Sequence, residues 1–227
     1  MANKLPLIVP LAALMLLEFI VTIEAPAGYD TIYGNNQDKL PKPLTQMTLG
    51  EVIDVQKSWT RRFKSSAAGG LQFMRNTLIG IAKEIPSLSG DALFDRDLQR
   101  RLGYYLLQRR GYERFVAGEL SIVAFGRALA QEWASFPVLS ACEGEHQSVE
   151  RGQSYYAGDA LNKSLVKPER VEAMLRQVFA AAAAAKPAPS VPPSTNLPAV
   201  PQPAQAAHPT GWAALGALLA KLFGGRK

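Results

Sequence analysis

Residues 10–28 have the sequence PLAALMLLEFIVTIEAPAG, and this stretch gives the strongest indication of the fold. Pro10 suits the start of a helix, because its missing N–H would have no partner in the first turn. Residues 11–24 are apolar nearly all round, with Glu18 as the only charge before Glu24. A helix of that kind lies in a core, and Pro26 and Gly28 end it. We therefore predict a buried helix over residues 11–24 in a mainly α-helical domain.

The same segment has a second interpretation as a targeting sequence. Residues 5–17 form an apolar run behind Lys4, and Ala25-Pro26-Ala27 is similar to a small-residue cleavage site, which is the outline of a signal peptide. Glu18 and Glu24 lie between the run and that site, which argues against processing, and the run is shorter than the roughly 20 residues of a membrane span. A buried helix is favoured, and a processed signal or an anchor stays the alternative.

Helix-start signals recur along the chain and predict further helices. Thr48 with Glu51 forms a capping-box pattern, Asp95 and Ser121 can cap two more helices, and Pro168 can begin the last one. Another helix is predicted over residues 71–85, a short strand over residues 29–33 and irregular structure over residues 140–165. The apolar periodicity places the following residues inward: Val52, Ile53, Val55, Trp59, Leu71, Met74, Leu78, Ile81, Leu98, Leu102, Val123, Phe125, Leu129, Trp133, Val171, Met174, Leu175 and Val178.

Three regions follow from the composition. Residues 1–185 carry the helical pattern, residues 186–210 are rich in Pro and Ala, and residues 211–227 are apolar with a basic end. The middle region cannot form a core and predicts an extended, disordered linker. Residues 212–223 predict a short helix that is too short to span a bilayer, so it should lie in a membrane interface or dock on a partner.

Charge and cysteine content narrow the function classes. The 227-residue chain has a formal charge of +6, which favours polyanionic partners such as cell-wall polymers, anionic lipid or nucleic acid. Its one cysteine, Cys142, allows no intramolecular disulfide, and with only His146 and His208 beside it a zinc site is not expected. Arginine pairs such as Arg61-Arg62 fit solvated helix faces, so no nucleic-acid partner is predicted. No cofactor is predicted either.

Three segments have residues suited to carbohydrate chemistry. Glu24 ends an apolar helix, and burial there would keep its proton to higher pH, as a general acid requires. The Ser65–Gly70 segment is made of small residues and leads to Gln72, which could bind an acetamido group or a carboxylate. Tyr155 and Tyr156 stand among Gly, Asp and Asn, and could form an aromatic wall for sugar rings. Each segment taken alone also fits ordinary surface structure.

Together these segments resemble the phage lambda-type endolysins and the related prophage muramidases. Glu24 followed by Gly28-Tyr29-Asp30-Thr31-Ile32-Tyr33-Gly34 is similar to the family's catalytic Glu and its glycine-tyrosine segment. Ser66-Ala67-Ala68-Gly69 before Gln72, Trp133-Ala134-Ser135-Phe136-Pro137 and Tyr155-Tyr156-Ala157-Gly158 resemble further family stretches in the right order. The resemblance covers residues 20–165. Relatives usually carry Arg-Tyr where this chain has Gly70-Leu71, which puts substrate affinity in doubt.

The resemblance implies a lysozyme-like α+β fold and cleavage of the bond between N-acetylmuramic acid and N-acetylglucosamine in peptidoglycan. It implies Glu24 as the single catalytic acid and base of a lytic transglycosylase, acting on the cell wall after synthesis in the cytoplasm. If Asp30 positions a water, hydrolysis follows instead. The residues expected to bind substrate are Tyr29, Asp30, Tyr33, Gln72, Tyr155 and Tyr156.

One non-enzymatic alternative stays open at this point. A lysozyme-fold adaptor or wall-binding module could retain the fold without activity, and the Gly70-Leu71 difference is its best support. A second alternative follows from the signal-peptide interpretation, since removal of residues 1–27 would take Glu24 away.

Overall fold

The computed structural model describes residues 4–158 and 162–185 of the chain. This part is mainly helical, as predicted, with seven α-helices and one small β-hairpin among the described residues. The predicted linker and the predicted C-terminal helix lie outside the described residues.

Helix α1, Leu11–Glu24, has the bounds that the sequence predicts and lies at the centre of the domain. Leu16, Leu17 and Ile20 are fully buried, and α1 packs against α4, Arg96–Arg109, and α7, Pro168–Ala184. Phe19 meets Phe136 edge-to-face with 6.0 Å between ring centroids. The apolar segment is therefore built into the core. Among the described helices, none is both long and apolar enough to cross a membrane.

The predicted capping residues begin their helices. Thr48 caps α2, Leu49–Phe63, in a complete capping box with Glu51. The Asp95 carboxylate accepts the Leu98 N–H of α4 at 2.8 Å, and the Ser121 hydroxyl accepts the Ala124 N–H of α6, Ile122–Glu132, at 3.1 Å. These contacts satisfy N–H groups that have no partner inside a helix.

The prediction of a helix over residues 71–85 is wrong about where the helix begins. Helix α3 spans Arg75–Glu84, and residues 69–72 form a tight turn instead, closed by paired hydrogen bonds between Ala68 and Phe73. Gln72 has a φ of +50° there, which a helix does not allow. Met74 precedes α3 and is 46% exposed, not inward as predicted.

Two further predictions need correction. Val123 is 43% exposed, because it lies in the first turn of α6 on the side away from the core. A short helix α5, Tyr112–Val116, follows Gly111 where only a helix stop was predicted. The predicted inward residues Phe125, Leu129, Trp133, Val171, Leu175 and Val178 are buried.

Extended structure is sparse in the described part. The irregular region holds a two-residue hairpin, β1 Cys142–Glu143 paired with β2 Ser148–Val149. The strand predicted over residues 29–33 is reduced to one antiparallel bridge, Ile32 with Ala68. That bridge fixes the segment after α1 against the tight turn and so shapes one wall of the cleft described next.

Candidate active site

A cleft of about 450 Å³ opens at the carboxyl end of α1. Its walls come from five places in the sequence: the end of α1, the 31–35 segment, the 69–72 turn, the segment after α6 and residues 162–165. The described residues that line it are Ile23, Glu24, Pro26, Thr31, Ile32, Tyr33, Gly34, Asn35, Gln72, Ala134, Ser135, Asn162, Lys163 and Leu165.

Glu24 is the last residue of α1 and is partly buried in this cleft. The Ser135 hydroxyl donates a hydrogen bond to Glu24 Oε1. Burial raises the pKa of Glu24 above its ordinary value of 4.5, since an ionised carboxylate is poorly solvated there. Hydrogen bonds from the hydroxyl and backbone N–H of Ser135 lower the pKa and oppose burial, which is the larger effect. Glu24 therefore keeps a proton to higher pH than an exposed glutamate.

Ser135 is held rigidly in the turn that follows α6. The Phe136 N–H donates to the Trp133 carbonyl at 3.0 Å, and the Leu165 N–H donates to the Ser135 carbonyl at 2.8 Å. The residue is 6% exposed. Ser135 occurs in the stretch that resembles the endolysins, yet the sequence alone indicates no role for it.

The tight turn that carries Gln72 is fixed by buried side chains. Gln99 of α4 accepts the Gly70 N–H at 2.9 Å and donates to the carbonyls of Tyr29 at 3.1 Å and Phe94 at 2.9 Å. The Trp133 indole N–H donates to the Leu71 carbonyl at 3.1 Å. Gln99 therefore ties the turn to the segment after α1, which makes it a positioning residue for the cleft.

Gly69 and Gln72 both adopt left-handed backbone conformations in this turn. A Cβ added at Gly69 would collide with the side-chain amide of Gln99. Gln72 lines the cleft, and its amide donates to the Gly69 carbonyl at 2.7 Å. The predicted site residue Gln72 thus shares the cleft with Glu24, although it lies in a turn and not in a helix.

The two residues that depart from the endolysin pattern face the interior. Leu71 is 1% exposed, and a Cβ on Gly70 would lie 3.1 Å from both Tyr29 Cδ1 and Val21 Cγ2. Neither residue lines the cleft. In this chain Gly70 and Leu71 therefore belong to the packing behind the turn.

Two of the predicted substrate-binding residues, Tyr33 and Asp30, lie in the segment after α1, one inside the cleft and one outside it. Tyr33 is exposed and lines the cleft, with its N–H bound to the Ala67 carbonyl at 3.2 Å. Asp30 lies elsewhere, since its carboxylate accepts the Thr45 N–H at 2.7 Å at a 3-10 turn, Leu44–Gln46. Asp30 does not line the cleft that holds Glu24.

Tyr29 belongs to a polar network outside the cleft. Its hydroxyl donates to Glu18 at 2.5 Å and accepts from Arg100 at 3.3 Å, while Arg96 lies over the ring at 5.0 Å. Burial, aided by Glu18, raises the Tyr29 pKa to about 12. Tyr29 thus supports the segment after α1 from behind.

Tyr155 and Tyr156 are also absent from the described cleft wall. Their rings meet edge-to-face at 5.2 Å, and the Tyr156 hydroxyl donates to the Gln131 carbonyl at 2.7 Å. Arg127 lies 5.8 Å from the centre of the Tyr155 ring. Their expected role in substrate binding stays a prediction.

The described lining of the cleft has one acid, Glu24, and one cation, Lys163. Among residues 4–158 and 162–185, no group of three or more His, Cys, Asp or Glu could hold a metal ion. The arrangement provides a carboxyl group of raised pKa beside amide, hydroxyl and aromatic side chains. Such a set can donate a proton while hydrogen-bonding a polar ligand.

Comparison with protein-family models, with curated proteins and with solved structures finds no match to this chain.

Proposed function

We propose that the protein is a lysozyme-like enzyme that cleaves peptidoglycan glycan strands, with Glu24 as its general acid. The observation that carries the proposal is the partly buried Glu24 carboxyl group of raised pKa in a polar cleft. The endolysin-like order of the motifs adds to it, since Glu24, Gln72 and Ser135 come from three separate motifs and share this cleft.

A general acid for glycoside cleavage has to hold a proton near the pH of the reaction. Burial at the end of α1 gives Glu24 that property, and the Ser135 hydroxyl fixes one carboxyl oxygen. The Glu24 carboxyl group would donate its proton to the scissile glycosidic oxygen. Proton donation by a positioned carboxyl group accelerates such reactions by about 10²- to 10⁴-fold.

Most glycosidases use a second carboxylate as nucleophile or base. The described cleft lining has only Glu24, and Asp30 is bound to the Thr45 N–H outside the cleft. A lytic transglycosylase needs one carboxyl group, so this arrangement supports transglycosylation over hydrolysis.

The proposed reaction has two proton transfers through Glu24. The acid protonates the glycosidic oxygen while the bond from muramic C1 to that oxygen breaks, and the leaving N-acetylglucosamine keeps the proton on its O4. The Glu24 carboxylate then takes the proton of the muramic C6 hydroxyl, whose oxygen bonds to C1. The product is a 1,6-anhydromuramic end, no water is consumed, and Glu24 is protonated again.

The cleft wall offers suitable contacts for such a strand. Gln72 and Asn35 are amides that can pair with acetamido groups, and exposed Tyr33 offers a ring face for a pyranose. Lys163 makes no ion pair with another described residue and can meet the carboxylates of muramic acid or of the stem peptide. The overall charge of +6 favours the same anionic polymer.

Product analysis tests the proposal. Purified peptidoglycan incubated with the protein should release soluble fragments that end in 1,6-anhydromuramic acid, each one water lighter than the hydrolysis product. Mass spectrometry distinguishes the two products. Fragments with reducing muramic ends would mean hydrolysis, and release of no fragment would reject the enzymatic function in favour of a wall-binding or adaptor role.

A further inference from the structure

Thr31 carries a buried hydroxyl group that has no hydrogen-bond partner among the described residues. The residue is 4% exposed. Buried polar groups are nearly always paired, and an unpaired one destabilises the fold because it has lost its contacts with water. This hydroxyl therefore requires an explanation.

The backbone N–H and carbonyl of Thr31 both have hydrogen-bond partners, so the missing hydrogen bond concerns only the side-chain hydroxyl. Its N–H donates to the Gly28 carbonyl at 3.2 Å, and its carbonyl accepts the Gly69 N–H at 2.8 Å. Ile32 pairs with Ala68 directly beside it. Thr31 is consequently fixed in place by the segments that form the cleft wall.

Thr31 lines the same cleft as Glu24 and Gln72. A rotation of about 120° about χ1 moves the Thr31 hydroxyl into the position now held by the methyl group or by the hydrogen on Cβ, without moving the backbone. The hydroxyl can thus be presented to a molecule in the cleft, where both its donor and its acceptor capacity can be used.

We infer that Thr31 is a substrate-binding residue whose hydroxyl finds its missing partner on the sugar bound beside Glu24. The partner is a hydroxyl or acetamido group, since N-acetylated sugars carry these on every ring. This inference rests on the proposed function. The unbound protein tolerates the unpaired hydroxyl, and the bound sugar satisfies it.

The variant Thr31→Val tests this directly, because valine has the shape of threonine and lacks only the hydroxyl. Removing an unpaired buried hydroxyl should raise the melting temperature, whereas removing a hydroxyl with a structural partner should lower it. Thr31→Ser keeps the hydroxyl and is the matched control for binding.

Binding is measured with the full chain in the Glu24→Gln background, so that the glycan is not consumed. Affinity is measured by sedimentation with insoluble purified peptidoglycan. Glu24→Gln/Thr31→Val should bind about tenfold more weakly than Glu24→Gln, because a tenfold loss corresponds to about one hydrogen bond. Thr31→Ser in the same background should bind within about twofold of Glu24→Gln. Binding of the valine variant within twofold of its parent, or a lower melting temperature, would overturn the inference alone. If the Glu24→Gln parent itself fails to bind peptidoglycan, the proposed function and this inference both fail.

Discussion

The Ser135 hydroxyl donates a hydrogen bond to Glu24, which lies 111 positions earlier in the chain. The contact joins the end of α1 to the turn after α6. It opposes the effect of burial on the acid, since burial raises the pKa of Glu24 and the Ser135 hydrogen bonds lower it. The same contact also restricts the orientation of the carboxyl group in the cleft.

Replacing Ser135 with alanine should shift the pH dependence of glycan cleavage. Loss of the hydroxyl removes an interaction that lowers the Glu24 pKa, so the pKa rises further. Because the protonated form is the active one, the alkaline limb of the pH–rate profile should move to higher pH. The maximal rate should fall roughly two- to tenfold, since a hydrogen bond between uncharged groups is worth about 0.5–1.5 kcal/mol.

Ser140→Ala is the control for that experiment. Ser140 is exposed on the same connecting segment, and its hydroxyl donates to the Ala141 carbonyl at 3.4 Å. Its removal should leave the pH–rate profile unchanged. An alkaline limb that stays in place or moves to lower pH in Ser135→Ala would contradict the assigned role of Ser135.

Glu24→Gln should stabilise the protein at neutral pH. The pKa of Glu24 is higher in the folded protein than its ordinary value of 4.5. At pH values above the folded-state pKa the carboxyl group is ionised, and its charge destabilises the folded state. At pH values below 4.5 it is protonated in both the folded and the unfolded state, and this destabilisation is absent. The melting temperature of the variant should therefore exceed that of the wild type at pH 7, and the difference should shrink as the pH falls below 4.5.

Glu51→Gln provides a comparison of opposite sign. The Thr48 N–H and Lys42 hold the pKa of Glu51 below its usual range, so its charge stabilises the fold above the unfolded pKa and that contribution is lost as the pH falls. Glutamine keeps the capping box but loses the charge, so this variant should be less stable than wild type at pH 7. A Glu24→Gln variant that is also less stable at pH 7 would contradict the buried-acid description.

Gln99→Leu should weaken both the fold and the activity. The substitution leaves the Gly70 N–H and the carbonyls of Tyr29 and Phe94 without their side-chain partner. Each unsatisfied buried group costs about 1–3 kcal/mol, so a loss of roughly 3 kcal/mol or more in the free energy of unfolding is expected. Gln108→Leu on the same helix should cost far less, because the partners of the Gln108 side chain are the side chains of Glu113, at 3.4 Å in an exposed position, and Tyr104, and not buried backbone groups. Equal losses in urea unfolding would reject the positioning role of Gln99.

Much of the helical framework could be predicted because its signals are local. Pro10, Thr48, Asp95 and Ser121 each act within one turn of the helix that they begin, so the sequence around them is sufficient. The predicted start of α3 is wrong because residues 71–74 carry an apolar stripe, whereas distant groups determine their backbone conformation. Gln99 and Trp133 bind that turn, and neither contact is visible in the local pattern.

The cleft could be predicted only in part for a related reason. Glu24, Tyr33 and Gln72 belong to recognisable motifs and do line it. The sequence does not single out Thr31, because an unpaired hydroxyl becomes apparent only when its surroundings are known. Ser135 stands within a motif, but its hydrogen bond to Glu24 depends on how α1 and α6 end beside each other.

The C-terminal region carries a separate prediction that comes from the sequence alone. Residues 212–223 would form a helix of about 18 Å, short of the roughly 30 Å hydrocarbon core, so we propose that they lie in a membrane interface. Arg226 and Lys227 would favour anionic lipid by about 1 kcal/mol each. Deleting residues 187–227 should lower binding to anionic vesicles and leave cleavage of soluble glycan fragments intact. Equal vesicle binding by both proteins would reject the membrane role.

The most direct test of the central claim compares three proteins in the release of soluble fragments from purified peptidoglycan. Glu24→Gln keeps the shape of the side chain but cannot deliver a proton, so it should release fragments at least 100-fold more slowly than wild type, given the roughly 10²- to 10⁴-fold contribution of a general acid. Glu18→Gln makes the same change on the same helix at a residue outside the described cleft wall and should retain activity. A folded Glu24→Gln variant that digests peptidoglycan at the wild-type rate would contradict the account.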